Sequence, residues 1–251
     1  MKKYLLLGLG CLLVLFISAL ASMPARIINW FPLPPQLSIE GASGTVWNGQ
    51  AQNIVWKGQN FGQLQWTLNV WKLFTAKVEA QVRFGRGSDM GVIGRGIVGY
   101  KLSGPYAENL VASAPVNQMM QYFPPIPVPL ELDGQLELTL KSFNYAPPYC
   151  HDGEGSLVWN TQSFHSPMGE LQIGPVAADI HCKDSVIDVK GAQQSDQVSS
   201  GFSATLQRNQ RYKTHAWFKP EQEFPPHLSN QLKWLKPSRS GQYEFDYNGR
   251  F

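Results

Sequence analysis

Cys150-His151 and His181-Cys182 are two places where side chains able to bind a metal or exchange electrons stand side by side. Two cysteines with two histidines make a zinc-type ligand set. Strand geometry works against their convergence, because neighbours on an extended chain point to opposite faces, and each Cys then turns away from its adjacent His. An even pair of cysteines in an oxidising compartment is expected to close one disulfide, Cys150–Cys182, with free thiols and a metal site as the other readings. In the chain-entropy picture that loop would add roughly 3–4 kcal/mol of stability. The remaining cysteine, Cys11, lies too early for a signal segment to precede a lipid-attachment site, and it reads as an apolar helix residue.

Other chemistry is sparse. The chain has no His-Glu-x-x-His and no Gly-x-Ser-x-Gly, and its five histidines follow no metal spacing. Gly85-Arg86-Gly87 and Gly94-Arg95-Gly96 lack the strand-to-helix setting of a nucleotide loop. Asp and Glu fall mostly on polar strand faces, where a solvated surface is the ordinary reading. The expectation is therefore a protein that is not an enzyme, with no catalytic residue, no metal and no cofactor. Nucleic acid is excluded as a partner: net charge is +3, Lys2 and Lys3 supply two of those charges, and the other basic residues form no stripe.

The elements that must carry any site begin with an address. Met1-Lys2-Lys3 precedes an uncharged apolar run, Tyr4 to Ala21. As a helix it rises about 27 Å, near the ~30 Å hydrocarbon thickness of a bilayer. The lysines should stay cytoplasmic and the rest of the chain should be exported. Ala19-Leu20-Ala21 also has the form of a signal-peptidase site, but the apolar run is longer than a signal segment's usual ~7–15 residues. The expected organisation is a cytoplasmic tip at 1–4, a transmembrane anchor at 5–22 and a membrane-proximal linker at 23–35. A periplasmic β-domain follows at 36–251, divisible into halves 36–123 and 130–251. Trp30 and Phe31 are candidates for the bilayer surface, and Pro32, Pro34 and Pro35 argue against helix there.

The body reads as mainly β. Charged residues are only 16 %, against about 25 % in an average domain, and 23 Gly, 18 Pro and 8 Trp suit aromatic strands broken by turns. Gly44-Thr45-Val46-Trp47 running into Asn48-Gly49 predicts a hairpin turning on Asn-Gly. That pairing puts Thr45, Trp47, Ile54 and Trp56 on one core face. Lys77 to Phe84 alternates, and Met90 to Gly104 does so loosely. Leu130 to Lys141 is the cleanest alternation: Leu130, Leu132, Leu136, Leu138 and Leu140 share one face and polar residues the other. It predicts an antiparallel sheet with one wet side. One or two short helices are expected, at Pro115–Tyr122 and His227–Leu235.

The proline block Pro124–Pro129 separates two weakly similar halves, in which Gly44–Asn48 recurs as Gly155–Asn160 and Phe61–Gln65 as Met168–Gln172. The block also suits a proline-recognition ligand. The C-terminal alternation Tyr243–Phe251 is similar to the last strand of an outer-membrane β-barrel, an alternative architecture.

Taken with the anchor, GTVWNGQA at Gly44–Ala51, the Leu64-Gln65-Trp66 step and PPIPVPLELDGQLELTL at Pro124–Leu140, the chain resembles the type II secretion system protein N family, also called general secretion pathway protein N. The resemblance implies a single-pass inner-membrane component of the machine that moves folded proteins from the periplasm across the outer membrane. Its partners would be other components of that system and the inner membrane. No catalytic residue carries over. A kinship with curved, open AsmA-like sheets is also implied, and with it a lipid-contacting module as the alternative function.

Overall fold

The structure, a computed structural model, describes residues 2–30, 35–120, 132–161, 163–166 and 169–250. The apolar N-terminal run forms α1 (Lys2–Ala21), followed by a 3-10 turn at Ala25–Trp30. Next come β1 (Leu37–Glu40), β2 (Ser43–Gly44), β3 (Asn48–Ala51), β4 (Asn53–Trp56), β5 (Gln59–Asn60) and β6 (Gln63–Leu68). A short α2 (Val70–Leu73) leads into β7 (Val78–Arg86), β8 (Ile93–Lys101) and β9 (Gly104–Pro115). After α3 (Val116–Met119) the chain forms β10 (Gln135–Asn144), β11 (Asp152–Asn160), β12 (Ser163–Ser166) and β13 (Gly169–Gln172). It then forms β14 (Val176–Lys183), β15 (Val186–Gln194), β16 (Val198–Leu206) and β17 (Arg211–Pro220). It closes with α4 (Pro226–Gln231), a 3-10 turn at Leu232–Trp234 and β18 (Tyr243–Arg250).

Thirteen of these strands make one antiparallel sheet, in the order β18-β17-β16-β15-β14-β11-β10-β9-β8-β7-β6-β3-β2. Nearly every neighbour in space is also the neighbour in sequence, the arrangement that short turns permit. The sheet runs between two different edge strands, so among the described residues it does not close into the barrel that the C-terminal aromatics allow. β1, β4 and β5 form a three-stranded sheet, and β12 and β13 a hairpin. The body is mainly β, with few helices, as the alternation requires.

Several local expectations are corrected. The first hairpin does not turn on Asn48-Gly49: Gly44 pairs with Gly49, and the turn closes from the Thr45 N–H to the Asn48 carbonyl at 2.9 Å. Gly49 is needed in the strand, because a Cβ there would run into the Trp66 ring. The returning segment then splits, β3 joining the large sheet and β4 the small one, so Thr45, Trp47, Ile54 and Trp56 do not form one core face. Trp56 is exposed. The linker is not free of helix, since Ala25–Trp30 is a 3-10 turn that buries Ala25 against Ala51, Trp66 and Val82. Pro24 stands just before the helical segment and pairs with Thr45, while Pro32 and Pro34 lie outside the described residues. The side chain of Trp30 and all of Phe31 lie outside the described residues.

The long leucine strand is β10, and it starts at Gln135 rather than Leu130. Gly134 has φ +102 and breaks the extension before it. Leu132 precedes the strand, while Leu130 and the proline block Pro124–Pro129 lie outside the described residues. The strand continues past Lys141 to Asn144 through a bulge between Leu140 and Ser142. Of the expected helix at Pro115–Tyr122, the described residues form the single turn of α3 with Pro115 as its cap, and Gln121 and Tyr122 lie outside the described residues. Gly44–Asn48 spans a turn, whereas Gly155–Asn160 lies inside β11.

Among the described residues, no helix is long and apolar enough to cross a membrane. The helix α1 itself is 20 residues long, but side chains of residues 5–9, within its apolar run, are outside the described set.

Candidate functional site

Cross-strand register sorts the large sheet into two unlike faces. On one face a row of directly opposed residues crosses the sheet: Ala51, Leu64, Phe84, Gly94, Ala112, Leu138, Leu157, Ala178, Gly191, Phe202, Ala216 and Phe245. No polar side chain interrupts it. The small residues in the row give room to large neighbours; at Gly191 a Cβ would collide with the Phe202 ring. Toward β3 this face is covered by the 3-10 turn at Ala25–Trp30 and by Ile39 of the small sheet. Toward β18 it becomes open: Phe202, Phe245 and Tyr247 are 37 %, 48 % and 65 % exposed.

Between these regions lies a groove of about 380 Å³, lined by Val116, Met119 and Met120 at α3, Leu132, Leu136, Leu157, Trp159, Val176, Ala178 and Phe202. Its size falls within the ~300–1,000 Å³ of small-ligand sites, and its walls are apolar throughout. The one polar handle, Trp159 Nε1, donates to the Asp133 carbonyl at 2.9 Å and so is not aimed into the groove as a free donor.

The opposite face carries the polar residues. Its densest cluster lies where β7, β8, β9, β10 and β11 meet. Glu79 is buried; its carboxylate accepts from the Tyr106 hydroxyl at 2.8 Å and from Asn69 at 3.5 Å, and pairs with Lys72 at 3.3 Å. Gly99, between them in register, lets the Tyr106 ring lie across β8. The Lys101 ammonium sits 5.3 Å above that ring and donates to Asn144 at 2.6 Å. Asn144 donates to Asp152 at 2.8 Å, and His151 Nδ1 lies 2.7 Å from the other Asp152 oxygen.

Burial pushes the Glu79 carboxyl up, but the hydrogen bonds from Tyr106 and Lys72, the Lys72 charge and Asn69 outweigh it, leaving Glu79 below the ordinary carboxylate value. Burial, reinforced by the Glu79 charge, pushes Tyr106 up to about 12. The His151 and Asn144 hydrogen bonds hold Asp152 below its ordinary value. The cluster is thus a carboxylate held ionised by the Lys72 ion pair and by hydrogen bonds from the neutral Tyr106 hydroxyl and Asn69.

The sign of the Glu79 effect is testable. A depressed folded pKa contributes stability above the unfolded pKa and loses it as pH falls through the folded one. Wild type should exceed Glu79→Gln by about 1–2 kcal/mol at pH 7, and thermal melts should show that gap shrinking below about pH 4.5. A gap independent of pH would contradict it.

Cys150 and Cys182 are brought together from the loop before β11 and from β14, with Cα atoms 6.3 Å apart and their sulfurs bonded. Both are buried. The buried Ser185 fastens the same loop, donating from its backbone and from its hydroxyl to the Cys150 carbonyl at 2.8 and 3.0 Å. The adjacent histidines are not gathered here: His151 turns to Asp152, and His181 stands on the opposite strand face from Cys182. Among the described residues no three His, Cys, Asp or Glu side chains form a group able to hold a metal.

The last feature is an edge. β18 pairs with β17 on one side, and among the described residues it has no strand on the other. Tyr243, Phe245 and Tyr247 stand on the apolar face, with Phe218 stacked 5.0 Å from Tyr243 and 6.1 Å from Phe245. Sequence alternation identified this strand; that it ends the sheet depends on the order of all thirteen.

Comparison with known proteins adds a family match. Residues 35–246 match the model of the family described as type II secretion system (T2SS), protein N. The type II secretion system protein N of Vibrio cholerae serotype O1 is 43 % identical over 252 residues, covering 100 % of both chains. That of Aeromonas hydrophila is 30 % identical over 254 residues, again covering 100 % of both. That of Pectobacterium carotovorum subsp. carotovorum is 20 % identical, covering 100 % of this chain and 98 % of the relative. No solved structure matches the chain.

Proposed function

The chain belongs to the type II secretion system protein N family, and from that premise we propose that it is an inner-membrane subunit whose exported sheet docks other secretion components along β18. The free edge supports the docking. A partner segment laid beside β18 would gain main-chain hydrogen bonds, and the aromatic row would select its side chains. The role needs no reactive group, in keeping with a chain read as a non-enzyme.

Membrane attachment is supported by α1. A 20-residue helix rises about 30 Å, the span of a bilayer core. Lys2 and Lys3 precede it and favour a cytoplasmic N-terminus under the positive-inside rule. The bulk of the chain is then periplasmic, a compartment in which the Cys150–Cys182 bond would persist. Deleting the gene should leave exoproteins in the periplasm and deplete them from the medium, with restoration by the wild-type gene. Unchanged export in the deletion strain would defeat the proposal.

The apolar groove favours a second reading, contact with lipid. No second sheet covers the groove among the described residues, and its walls would suit an alkyl chain. Native mass spectrometry of the purified protein should then find bound lipid that Leu157→Asp reduces severalfold. Lipid-free wild type would dismiss this reading and leave the first intact.

A further inference from the structure

The end of the sheet nearest α1 carries an apolar cluster that neither β18 nor the groove uses. Trp71 and Phe74 are 79 % and 84 % exposed, and Leu102, at the β8–β9 turn, is 96 % exposed. Large apolar side chains left this open on one end of a sheet mark a contact surface. They are not on a loose loop. Asn69 N–H bonds to the Glu79 carbonyl at 2.8 Å, Thr75 and Lys77 N–H both bond to the Lys72 carbonyl at 3.0 and 3.1 Å, and Lys72 itself reaches Glu79. The buried Glu79–Tyr106 cluster thus serves as the footing from which Trp71 and Phe74 project.

Two hydrogen bonds connect this finger to the end of α1. Trp47 Nε1 donates to the Leu20 carbonyl at 2.8 Å, and the Trp47 carbonyl accepts from Leu68 N–H at 2.7 Å, one residue before Asn69. Val46 N–H also bonds to the Met23 carbonyl at 3.0 Å, fastening the same corner to the residues just after the helix. Trp and Phe beside lysines are the composition that settles at the headgroup level of a bilayer, and Lys72, Lys77 and Lys101 flank the cluster.

We propose that Trp71, Phe74 and Leu102 insert into the outer leaflet surface of the same membrane that holds α1, giving the body a second, rigid point of attachment. Lys77 lies at headgroup depth and favours anionic lipid, while Lys72 and Lys101 hold the footing through Glu79 and Asn144. One hydrophobic helix alone would leave the sheet free to tilt; a second contact fixes which face and which edge it presents to the periplasm. The inference rests on the anchored reading above.

The test uses the full-length chain reconstituted in phosphatidylethanolamine–phosphatidylglycerol vesicles, with an environment-sensitive fluorophore and, in separate samples, lipids carrying a quencher at shallow depth, which reads the body, or at mid-bilayer depth, which reads Cys11 at the middle of α1. The native free thiol, Cys11, reports on α1. In a Cys11→Ala background, labels at Phe74→Cys, Leu102→Cys and the distal Asp89→Cys report on the body. Quenching is expected at positions 74 and 102 but not at 89, and Trp71→Glu with Phe74→Glu should reduce quenching at 102 at least threefold without shifting the melting temperature. Labels at 74 and 102 as wet as the one at 89, with Cys11 quenched, would overturn this inference and spare the anchor. A Cys11 label untouched by the mid-bilayer quencher would overturn both.

Discussion

A chain carrying Phe245→Lys and Tyr247→Lys should accumulate at wild-type levels, remain folded and fail to restore secretion, with exoprotein in the medium down roughly tenfold or more. Both side chains stand on the last strand of the sheet and are 48 % and 65 % exposed, so their loss removes little core. Their effect should fall on docking. Aromatic anchors at protein interfaces are commonly worth about 2 kcal/mol or more each, which is ~30-fold in affinity. Lysines on an edge strand also oppose pairing with another strand. Export assays against a deletion strain, with immunoblots to equalise protein level, would read the effect. Full export by the folded double variant would remove β18 from the account while leaving family membership untouched.

The second large effect concerns stability. Replacing Cys150 and Cys182 by alanine should cost about 3–4 kcal/mol, since the two are 32 residues apart and the bond removes that loop's freedom from the unfolded chain. For a body of this size the melting temperature should fall by roughly 6–15 °C. Both residues are buried, and the loop is also held by Ser185, so the variant should still fold at low temperature. Thiol titration of the denatured, unreduced protein should find one reactive cysteine, and titration after reduction should find all three. Three before reduction would show that the bond does not form in the cell, and the predicted melting shift would then vanish.

The strand class was legible where alternation is long. β10 keeps leucines on one face through Leu136, Leu138 and Leu140 and polar residues on the other; its start was displaced because Gly134 breaks the extension, and its end runs on to Asn144 through the bulge after Leu140. β9 was missed. It begins Gly-Pro and is rich in small residues, and its period slips at Asn109, where φ is +48 and the pairing with β8 shifts register. The first hairpin was misplaced for another reason: Asn48-Gly49 has the composition of a turn, but Gly49 is required beneath the Trp66 ring. Local propensity lost to a tertiary contact.

The functional features were less legible still. The groove draws on residues from Val116 to Phe202, placed together only once the strand order is known. The buried Glu79 sits at a position that alternation assigns to the wet face; nothing local announces that Tyr106 and Lys72 will cover it. Trp71 and Phe74 lie in a short apolar stretch that burial rules would place inside, and their exposure becomes informative only beside the end of α1.

We propose that one N-terminal helix holds an exported sheet on the periplasmic side of the inner membrane. Protease treatment of spheroplasts, followed by alkaline extraction of the membranes, tests it most directly. The chain should resist alkaline extraction, be digested by external protease in spheroplasts, and be spared in intact cells. A chain recovered soluble, or one protected from protease until the inner membrane is lysed, would contradict it.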